Sequence, residues 1–133
     1  MYRRIVQYYE TDKMGITHHS NYIRWMEEAR TDFFKNVGWD YNELEKTGVI
    51  CPVVSVTCDY KKTTTYEDKI SIDVKIKEFR GIKLILSYVI KNEDLDEIVA
   101  VGESKHCFLK DGKIIRMDKE YKEFYDCMNK YIE

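Results

Sequence analysis

The sequence predicts an α+β domain in which one antiparallel β-sheet wraps around one long central helix, with a further helix at the C-terminal end. Three observations lead to this prediction. A short strand-like segment precedes a stretch with helical periodicity, four or five strand-like segments follow that stretch, and the final segment is again helical in pattern. A run of strands beside one long helix is typical of a sheet that buries one face against it. At 133 residues the chain is expected to be a single domain, residues 1–133.

Charge, hydropathy and cysteine spacing argue against several classes of protein. The chain has 22 basic and 24 acidic residues, so its charge balance gives no sign of a nucleic-acid partner. No apolar run is long enough to span a membrane, and the first residues lack the apolar core of a signal peptide, so we expect a soluble, cytoplasmic protein. The four cysteines are widely scattered without metal-binding spacing, which favours reduced thiols and no metal.

The first two predicted elements are a strand and the long helix. Residues 2–9 are rich in Ile, Val and Tyr and predict a short strand. Apolar side chains three and four residues apart then predict a helix from about Asn21 to Asn36. The apolar stripe consists of Tyr22, Met26, Ala29, Phe33 and Val37, widened by Ile23 and Trp25. Ser20 or Asn21 is expected to cap its first turn, and Gly38 is expected to end it.

The sheet is expected to begin after a short helical turn in residues 39–46. Residues 49–60 are dense in valine and predict a strand that Pro52 opens or confines to an edge. In residues 70–77 apolar and polar side chains alternate, which predicts a strand with one buried face. Residues 82–91, after a turn at Arg80 and Gly81, are apolar on both faces and predict a central strand.

The end of the chain predicts one more strand, a hairpin and a helix. Within residues 97–109 the small residues Ala100, Gly102 and Ser104 share one face, where the long helix can approach closely. Asp111 and Gly112 are typical of a two-residue hairpin. Asp118 is expected to cap a last helix. The apolar face of that helix consists of Tyr121, Phe124, Tyr125 and Met128.

Several catalytic motifs are absent from the sequence. It contains no Gly-x-Ser-x-Gly, no glycine-rich phosphate loop ending in Lys-Ser or Lys-Thr, and no His-Glu-x-x-His. These absences argue against a serine hydrolase of the elbow type, a P-loop nucleotidase and a zinc protease of the HExxH type.

The turn between the first strand and the long helix carries the best candidate for chemistry. Asp12 lies there with Gly15, close to the free backbone amides at the helix start near His19 and Ser20. Such amides can stabilise an oxyanion on a bound carbonyl compound while an ionised aspartate attacks the carbon or activates a water. The alternative is that Asp12 is a plain turn or capping residue.

The same stretch contains a spaced set of residues, namely Tyr9, Thr11-Asp12, Gly15-Ile16, Asn21-Tyr22 and Glu27-x-Ala29-Arg30. By these residues it resembles the opening motif of the hotdog-fold acyl-CoA thioesterases, and in particular their 4-hydroxybenzoyl-CoA thioesterase and YbgC-like branch. The predicted order of strands and helices agrees with that fold along nearly the whole chain. In one place the chain departs from the family: where many relatives have a proline after the Asp-Tyr pair, residues 59–65 have none.

The resemblance implies roles for individual residues. Asp12 would be the catalytic carboxylate, as general base or nucleophile, and the His19 backbone amide would donate to the thioester oxygen, with Gly15 shaping the turn. Tyr9 and Tyr22 would line the substrate site. The family needs no metal and no cofactor beyond the coenzyme A of its substrate.

For other polar residues the sequence allows either a functional or a purely structural role. Lys61, Lys62 and Arg80 can meet the phosphates of coenzyme A or be simply solvated. Glu27 and Arg30 are expected to form an ion pair or a subunit contact, and His18 and His106 to have no catalytic role.

The expected function is hydrolysis of a small acyl or aromatic acyl-CoA thioester to the free acid and coenzyme A. Three alternatives stay open: a thioesterase acting on acyl carrier protein, a dehydratase of the same fold, and a non-catalytic acyl-CoA-binding module. The exposed edges of a lone sheet, together with the family resemblance, imply a homodimer or homotetramer with sites at the subunit boundary.

Overall fold

A long helix packs against one face of a five-stranded antiparallel sheet in the computed structural model, which describes residues 1–39 and 41–132. The helices are α1 (Ser20–Asn36), α2 (Tyr41–Lys46), α3 (Met117–Glu120) and α4 (Lys122–Asn129). The strands are β1 (Tyr2–Ile5), β2 (Val49–Ile50), β3 (Val53–Tyr60), β4 (Lys69–Phe79), β5 (Leu84–Asn92), β6 (Glu97–His106), β7 (Leu109–Lys110) and β8 (Lys113–Ile114). The large sheet has the order β1-β4-β5-β6-β3, and β2-β7-β8 form a small second sheet.

The packing of α1 on the sheet confirms most of the predicted apolar stripe, except that Phe34 is buried whereas the predicted Phe33 is half-buried. The buried apolar side chains of α1 are Tyr22, Trp25, Met26, Ala29 and Phe34. The helix approaches the sheet closely at Gly102, where an added Cβ would lie 3.0 Å from Cε of Met26 and 2.6 Å from the carbonyl oxygen of Thr57. The small residues of β6 therefore leave room for the helix, as predicted.

The C-terminal end of α1 confirms the prediction for Gly38. Gly38 has a φ of 93°, its amide donates to the Lys35 carbonyl at 3.1 Å, and the Trp39 amide donates to the Phe34 carbonyl at 2.9 Å. This is the paired bonding of a left-handed helix end, which glycine adopts without steric cost.

The prediction that Ser20 or Asn21 caps the start of α1 is wrong. Ser20 is the first helical residue, His19 precedes it without a side-chain capping bond, and Nδ1 of His18 accepts from the Ser20 amide at 3.3 Å. The Asn21 side chain is turned away to donate to the carbonyl of Glu10 at 2.9 Å. The polar side chains at this helix start are thus used to hold the preceding turn.

Several strands are shorter than predicted. The first strand ends at Ile5, and a 3₁₀ turn, Tyr8–Glu10, follows. The predicted strand in residues 49–60 is split at Pro52, which has no amide to donate, so that β2 pairs with β7 while β3 pairs with β6. β3 is an edge strand and β5 is the central strand, both as predicted.

The β7–β8 hairpin forms at Asp111 and Gly112 as predicted, with φ values of 53° and 76°. Asp118, however, does not cap the last helix. It lies inside α3 and forms an ion pair with Arg116 at 2.9 Å, and α4 begins only after a break at Tyr121. The helical turn predicted in residues 39–46 corresponds to α2, and Asp40 within it lies outside the described residues.

The antiparallel sheet, long helix and C-terminal helix confirm the predicted fold class. Within the described ranges, no helix combines the length and the apolar character needed to cross a membrane.

Candidate active site

The turn between β1 and α1 is closed by backbone hydrogen bonds that hold Asp12 in place. The Asp12 amide donates to the Ile16 carbonyl at 2.9 Å, and the Gly15 amide donates to the Asp12 carbonyl at 2.9 Å. Gly15 has a φ of 80°, which glycine adopts more readily than other residues. A bridge between Thr11 and Thr17 completes the turn. Asp12 therefore sits on a defined backbone rather than on a loose loop.

One oxygen of the Asp12 carboxylate is oriented by this turn. Oδ1 accepts a hydrogen bond from the Met14 amide at 2.8 Å. The side chain is half-buried, and Oδ2 has no hydrogen-bond partner among residues 1–39 and 41–132. One carboxylate oxygen is thus held by a hydrogen bond, and the other is free to contact a bound molecule.

The start of α1 presents a backbone donor. The His19 amide makes no hydrogen bond to any part of the chain that the structure describes, whereas the His19 carbonyl accepts from the hydroxyl of Tyr60 at 3.1 Å and from the Tyr22 amide at 3.2 Å. Tyr60 of β3 therefore orients a peptide at the helix start. The helix dipole adds a partial positive charge there.

A cleft of about 160 Å³ lies between the Asp12 turn, the start of α1 and the end of β3. Its lining residues are Asp12, Met14, Ile16, Thr17, His19, Tyr22, Tyr60, Lys62 and Thr63. The cleft brings together a carboxylate, the residue that carries the free helix-start amide, two tyrosines and a lysine. Its walls are mixed apolar and polar, which suits an acyl group next to a reacting carbonyl.

The segment that lacks the expected proline is docked onto the turn by threonines. The Thr64 carbonyl accepts from the Thr17 amide at 2.8 Å, and its hydroxyl contacts those of Thr17 at 2.6 Å and Tyr22 at 2.9 Å. The Thr65 hydroxyl donates to the Gly15 carbonyl at 2.7 Å. The loop after β3 is therefore ordered against the Asp12 turn without a proline.

Five of the predicted site residues lie in or beside the cleft. Asp12, Gly15 and His19 lie together in or beside the cleft, and Lys62 lines it with its amine 3.7 Å from Glu97. Tyr22 also lines the cleft but is mostly buried, with 3% of its surface exposed.

The remaining predicted residues lie farther out. Tyr9 has 79% of its surface exposed and is not among the cleft-lining residues, and Lys61 is exposed at the end of β3. Arg80 lies at the other end of β4 from the cleft, about 30 Å away along the strand, and pairs with Glu78 at 2.9 Å. One chain therefore does not bring Arg80 to Asp12.

Several residues of the site were missed from the sequence, among them Tyr60 and Thr64. Tyr60 lines the cleft, and burial together with the neighbouring Cys58 raises the pKa of its hydroxyl to about 12, so that it remains a donor at neutral pH. The resemblance drew attention to residues 59–65 as a loop, but no local pattern marks Tyr60 or Thr64, since their partners His19 and Thr17 lie far away along the chain.

The other histidine and charged residues noted from the sequence have separate positions. His106 is buried, its Nε2 lies 2.7 Å from the Ser104 hydroxyl, and burial followed by the charge of Arg30 lowers its pKa to about 4. Arg30 donates to the Tyr88 hydroxyl at 3.1 Å, and no ion pair joins it to Glu27 within the described residues. In residues 1–39 and 41–132, no cluster of three or more His, Cys, Asp or Glu side chains is placed to hold a metal ion.

Comparison with known proteins shows which proteins the chain resembles. Residues 6–124 match the model of the thioesterase-like superfamily. The chain is 39% identical over 123 residues to a putative esterase of Aquifex aeolicus, covering 92% of this chain and 94% of that protein. It is 34% identical over 126 residues to the putative acyl-CoA thioesterase YneP of Bacillus subtilis, covering 94% and 91%.

A solved structure agrees with these sequence matches. The DHNA-CoA thioesterase of Staphylococcus aureus superposes with a TM-score of 0.92 at 30% sequence identity, covering 97% of this chain and 87% of that one. The likeness thus extends over nearly the whole fold.

Proposed function

The chain belongs to the thioesterase-like superfamily, as its opening motif predicted, and we propose that it hydrolyses a small acyl or aromatic acyl-CoA thioester in the cleft beside Asp12. Like its relatives, the chain is a thioester hydrolase. The proposal depends on one observation. The Asp12 carboxylate, with only one of its oxygens hydrogen-bonded within the described residues, lines the same cleft as His19 at the start of α1.

Asp12 supplies the reactive group in this proposal. Its free Oδ2 either takes a proton from a water that attacks the thioester carbon, or attacks that carbon itself. In both cases the carbon–sulfur bond breaks and coenzyme A leaves as a thiolate that takes up a proton. In the second case water then hydrolyses the anhydride formed on Asp12.

The His19 amide stabilises the negative charge that develops on the carbonyl oxygen. It makes no hydrogen bond within the described part of the chain, and it lies at the positive end of α1. Tyr60 supports this role because its hydroxyl is bonded to the carbonyl of the same residue.

Lys62, which lines the cleft, and its exposed neighbour Lys61 are the cations that we assign to the phosphates of coenzyme A. Lys62 lines the cleft, and its contact with Glu97 is long enough, at 3.7 Å, to be exchanged for a phosphate. Arg80 can join them only from another subunit, because its position within one chain is at the far end of the sheet.

A homodimer is the proposed assembly, and two such dimers can form a tetramer. β3 is an edge strand whose Val53, Val54 and Val56 are 48%, 65% and 40% exposed. An exposed apolar edge of this kind favours pairing with a second strand, and a second copy of β3 is its natural partner. A molar mass of 16.0 kDa for the species in solution, measured by light scattering, would contradict this assembly.

The function is tested with a panel of acyl-CoA esters whose thiol release is followed with a thiol reagent, beside the same acyl groups on acyl carrier protein. Steady release from one or more CoA esters is expected. Faster release from the carrier protein would favour the carrier-protein alternative. Tight binding without turnover of any thioester would favour the binding module, and hydration of an enoyl-CoA without free thiol would favour the dehydratase.

A further inference from the structure

A buried carboxylate two residues before Asp12 joins three parts of the fold. Glu10 is only 4% exposed, and each of its carboxylate oxygens accepts two hydrogen bonds. Oε1 accepts from Arg4 at 2.7 Å and from the Gln7 amide at 2.9 Å. Oε2 accepts from Arg4 at 2.9 Å and from Nε1 of Trp25 at 2.8 Å. The side chain thus links β1 to the buried face of α1.

The backbone of Glu10 closes the turn that carries Asp12. Its carbonyl oxygen accepts from the His18 amide at 2.9 Å and from the Asn21 side chain at 2.9 Å. One residue therefore holds together the beginning of the turn, the end of the turn and the first turn of α1. No role for Glu10 follows from the chemistry proposed above, since its carboxylate is turned into the core.

We propose that Glu10 is a positioning residue that sets where the Asp12 carboxylate stands relative to the amides at the start of α1. The inference rests on the proposed function, because it assigns the geometry of the same site. A residue that only stabilised the fold could lie anywhere in the core. Glu10 instead bonds directly to the two elements that carry the reacting groups, the Asp12 turn and α1.

The charge of Glu10 matters as well as its shape. All of the groups bonded to its two oxygens are donors, and an amide has only one oxygen to offer them. In Glu10→Gln the new NH2 group must therefore face Arg4 together with either the Gln7 amide or the Trp25 indole, and both of these contacts become donor against donor. The guanidinium of Arg4, which is 12% exposed and lies 4.9 Å from the centre of the Trp25 ring, also loses its closest anion.

The expected result for Glu10→Gln is a fall in kcat of tenfold or more with KM changed less than threefold, because the substrate surfaces remain while the reacting groups are misplaced. Glu93→Gln is the matched control, since it removes a half-buried carboxylate that pairs with Arg3, the neighbour of Arg4 on β1. Met128→Ala is the stability control, because it opens a cavity under α4, away from the turn. Both controls are expected to keep wild-type kcat per folded molecule.

A double variant separates positioning from a general loss of folding. If Glu10 acts through Asp12, Glu10→Gln combined with Asp12→Asn is no slower than Asp12→Asn alone. Wild-type kcat in Glu10→Gln, or a multiplicative loss in the double variant, would overturn the inference while leaving the proposed function intact. Wild-type kcat in Asp12→Asn would instead overturn the proposed site, and the inference with it.

Discussion

The hydroxyl of Tyr60, at the end of an edge strand, donates a hydrogen bond to the carbonyl of His19, at the start of the long helix, across 3.1 Å. This contact joins the two walls of the cleft and orients the peptide next to the proposed oxyanion donor. The His19 ring packs edge-on against Tyr60 with the ring centroids 6.2 Å apart, so the two residues form one structural unit.

Removing this hydroxyl is expected to slow the chemical step. Tyr60→Phe should lower kcat about three- to tenfold and the free energy of unfolding by about 1 kcal/mol, because one hydrogen bond to the helix start is lost. Steady-state kinetics and urea unfolding measure both effects. Tyr66→Phe removes a hydroxyl from another half-exposed tyrosine and is the control. A wild-type kcat in Tyr60→Phe would show that the contact does not support catalysis.

The glycine in the Asp12 turn offers a comparison with a second glycine elsewhere. Gly15 and Gly112 have φ values of 80° and 76°, and an added Cβ meets no atom within 4 Å at either position. Substitution by alanine should therefore cost each about 1 kcal/mol of stability through backbone strain alone. Only Gly15→Ala is expected to reduce kcat, because only that strain moves Asp12. Equal kcat for both variants would contradict this expectation.

The buried hydroxyl of Thr64 is expected to contribute mainly to stability. It bonds to Thr17 and Tyr22 and is 2% exposed, so Thr64→Val leaves two buried hydroxyls short of a partner. The expected loss is about 1–3 kcal/mol in the free energy of unfolding, measured by urea denaturation. Thr31→Val, on an exposed position of α1, is the control and should change stability by less than about 0.5 kcal/mol. A loss no larger than that of the control would contradict the proposed network.

His106 is expected to make the fold sensitive to acid. Its pKa is lowered from 6.5 to about 4 by burial, so the unfolded chain binds a proton more readily than the folded one between these values. Its contribution to stability is therefore fully present above pH 6.5 and is lost as the pH falls towards 4, by roughly 3 kcal/mol in total.

This dependence is measured by urea unfolding at pH 7 and pH 4.5 at one fixed protein concentration. The loss on acidification should be roughly 2 kcal/mol smaller in His106→Asn, which has no imidazole to protonate. The exposed His18 provides the control variant His18→Gln, which should retain the wild-type dependence. An unchanged pH dependence in His106→Asn would contradict the assignment.

Local patterns in the sequence predicted most of the fold. The alternation in residues 70–77 identified a strand whose Ile70, Ile72 and Ile76 are fully buried, and the positions of Gly38 and Gly102 identified a helix end and a close approach. These features depend on near neighbours in the chain. The caps were predicted wrongly at Ser20 and Asp118, because competing partners, His18 and Arg116, decided where those side chains bond.

The site was predicted in part for the same reason. Asp12, Gly15 and His19 are close in sequence, and the turn brings them together. The bond from Glu10 to α1 depends on Trp25, fifteen residues away, and the bond from Thr64 to the Asp12 turn depends on Thr17, 47 residues away. Such pairs depend on tertiary packing, which no local pattern expresses.

The measurement that tests the central claim most directly is kcat for Asp12→Asn on the best CoA ester of the panel. Asparagine keeps an oxygen that can accept from the Met14 amide, so the turn is expected to stay closed while the negative charge is lost. We expect kcat to fall by a hundredfold or more with little change in thermal stability. A folded Asp12→Asn variant that hydrolyses the ester at the wild-type rate would contradict the account.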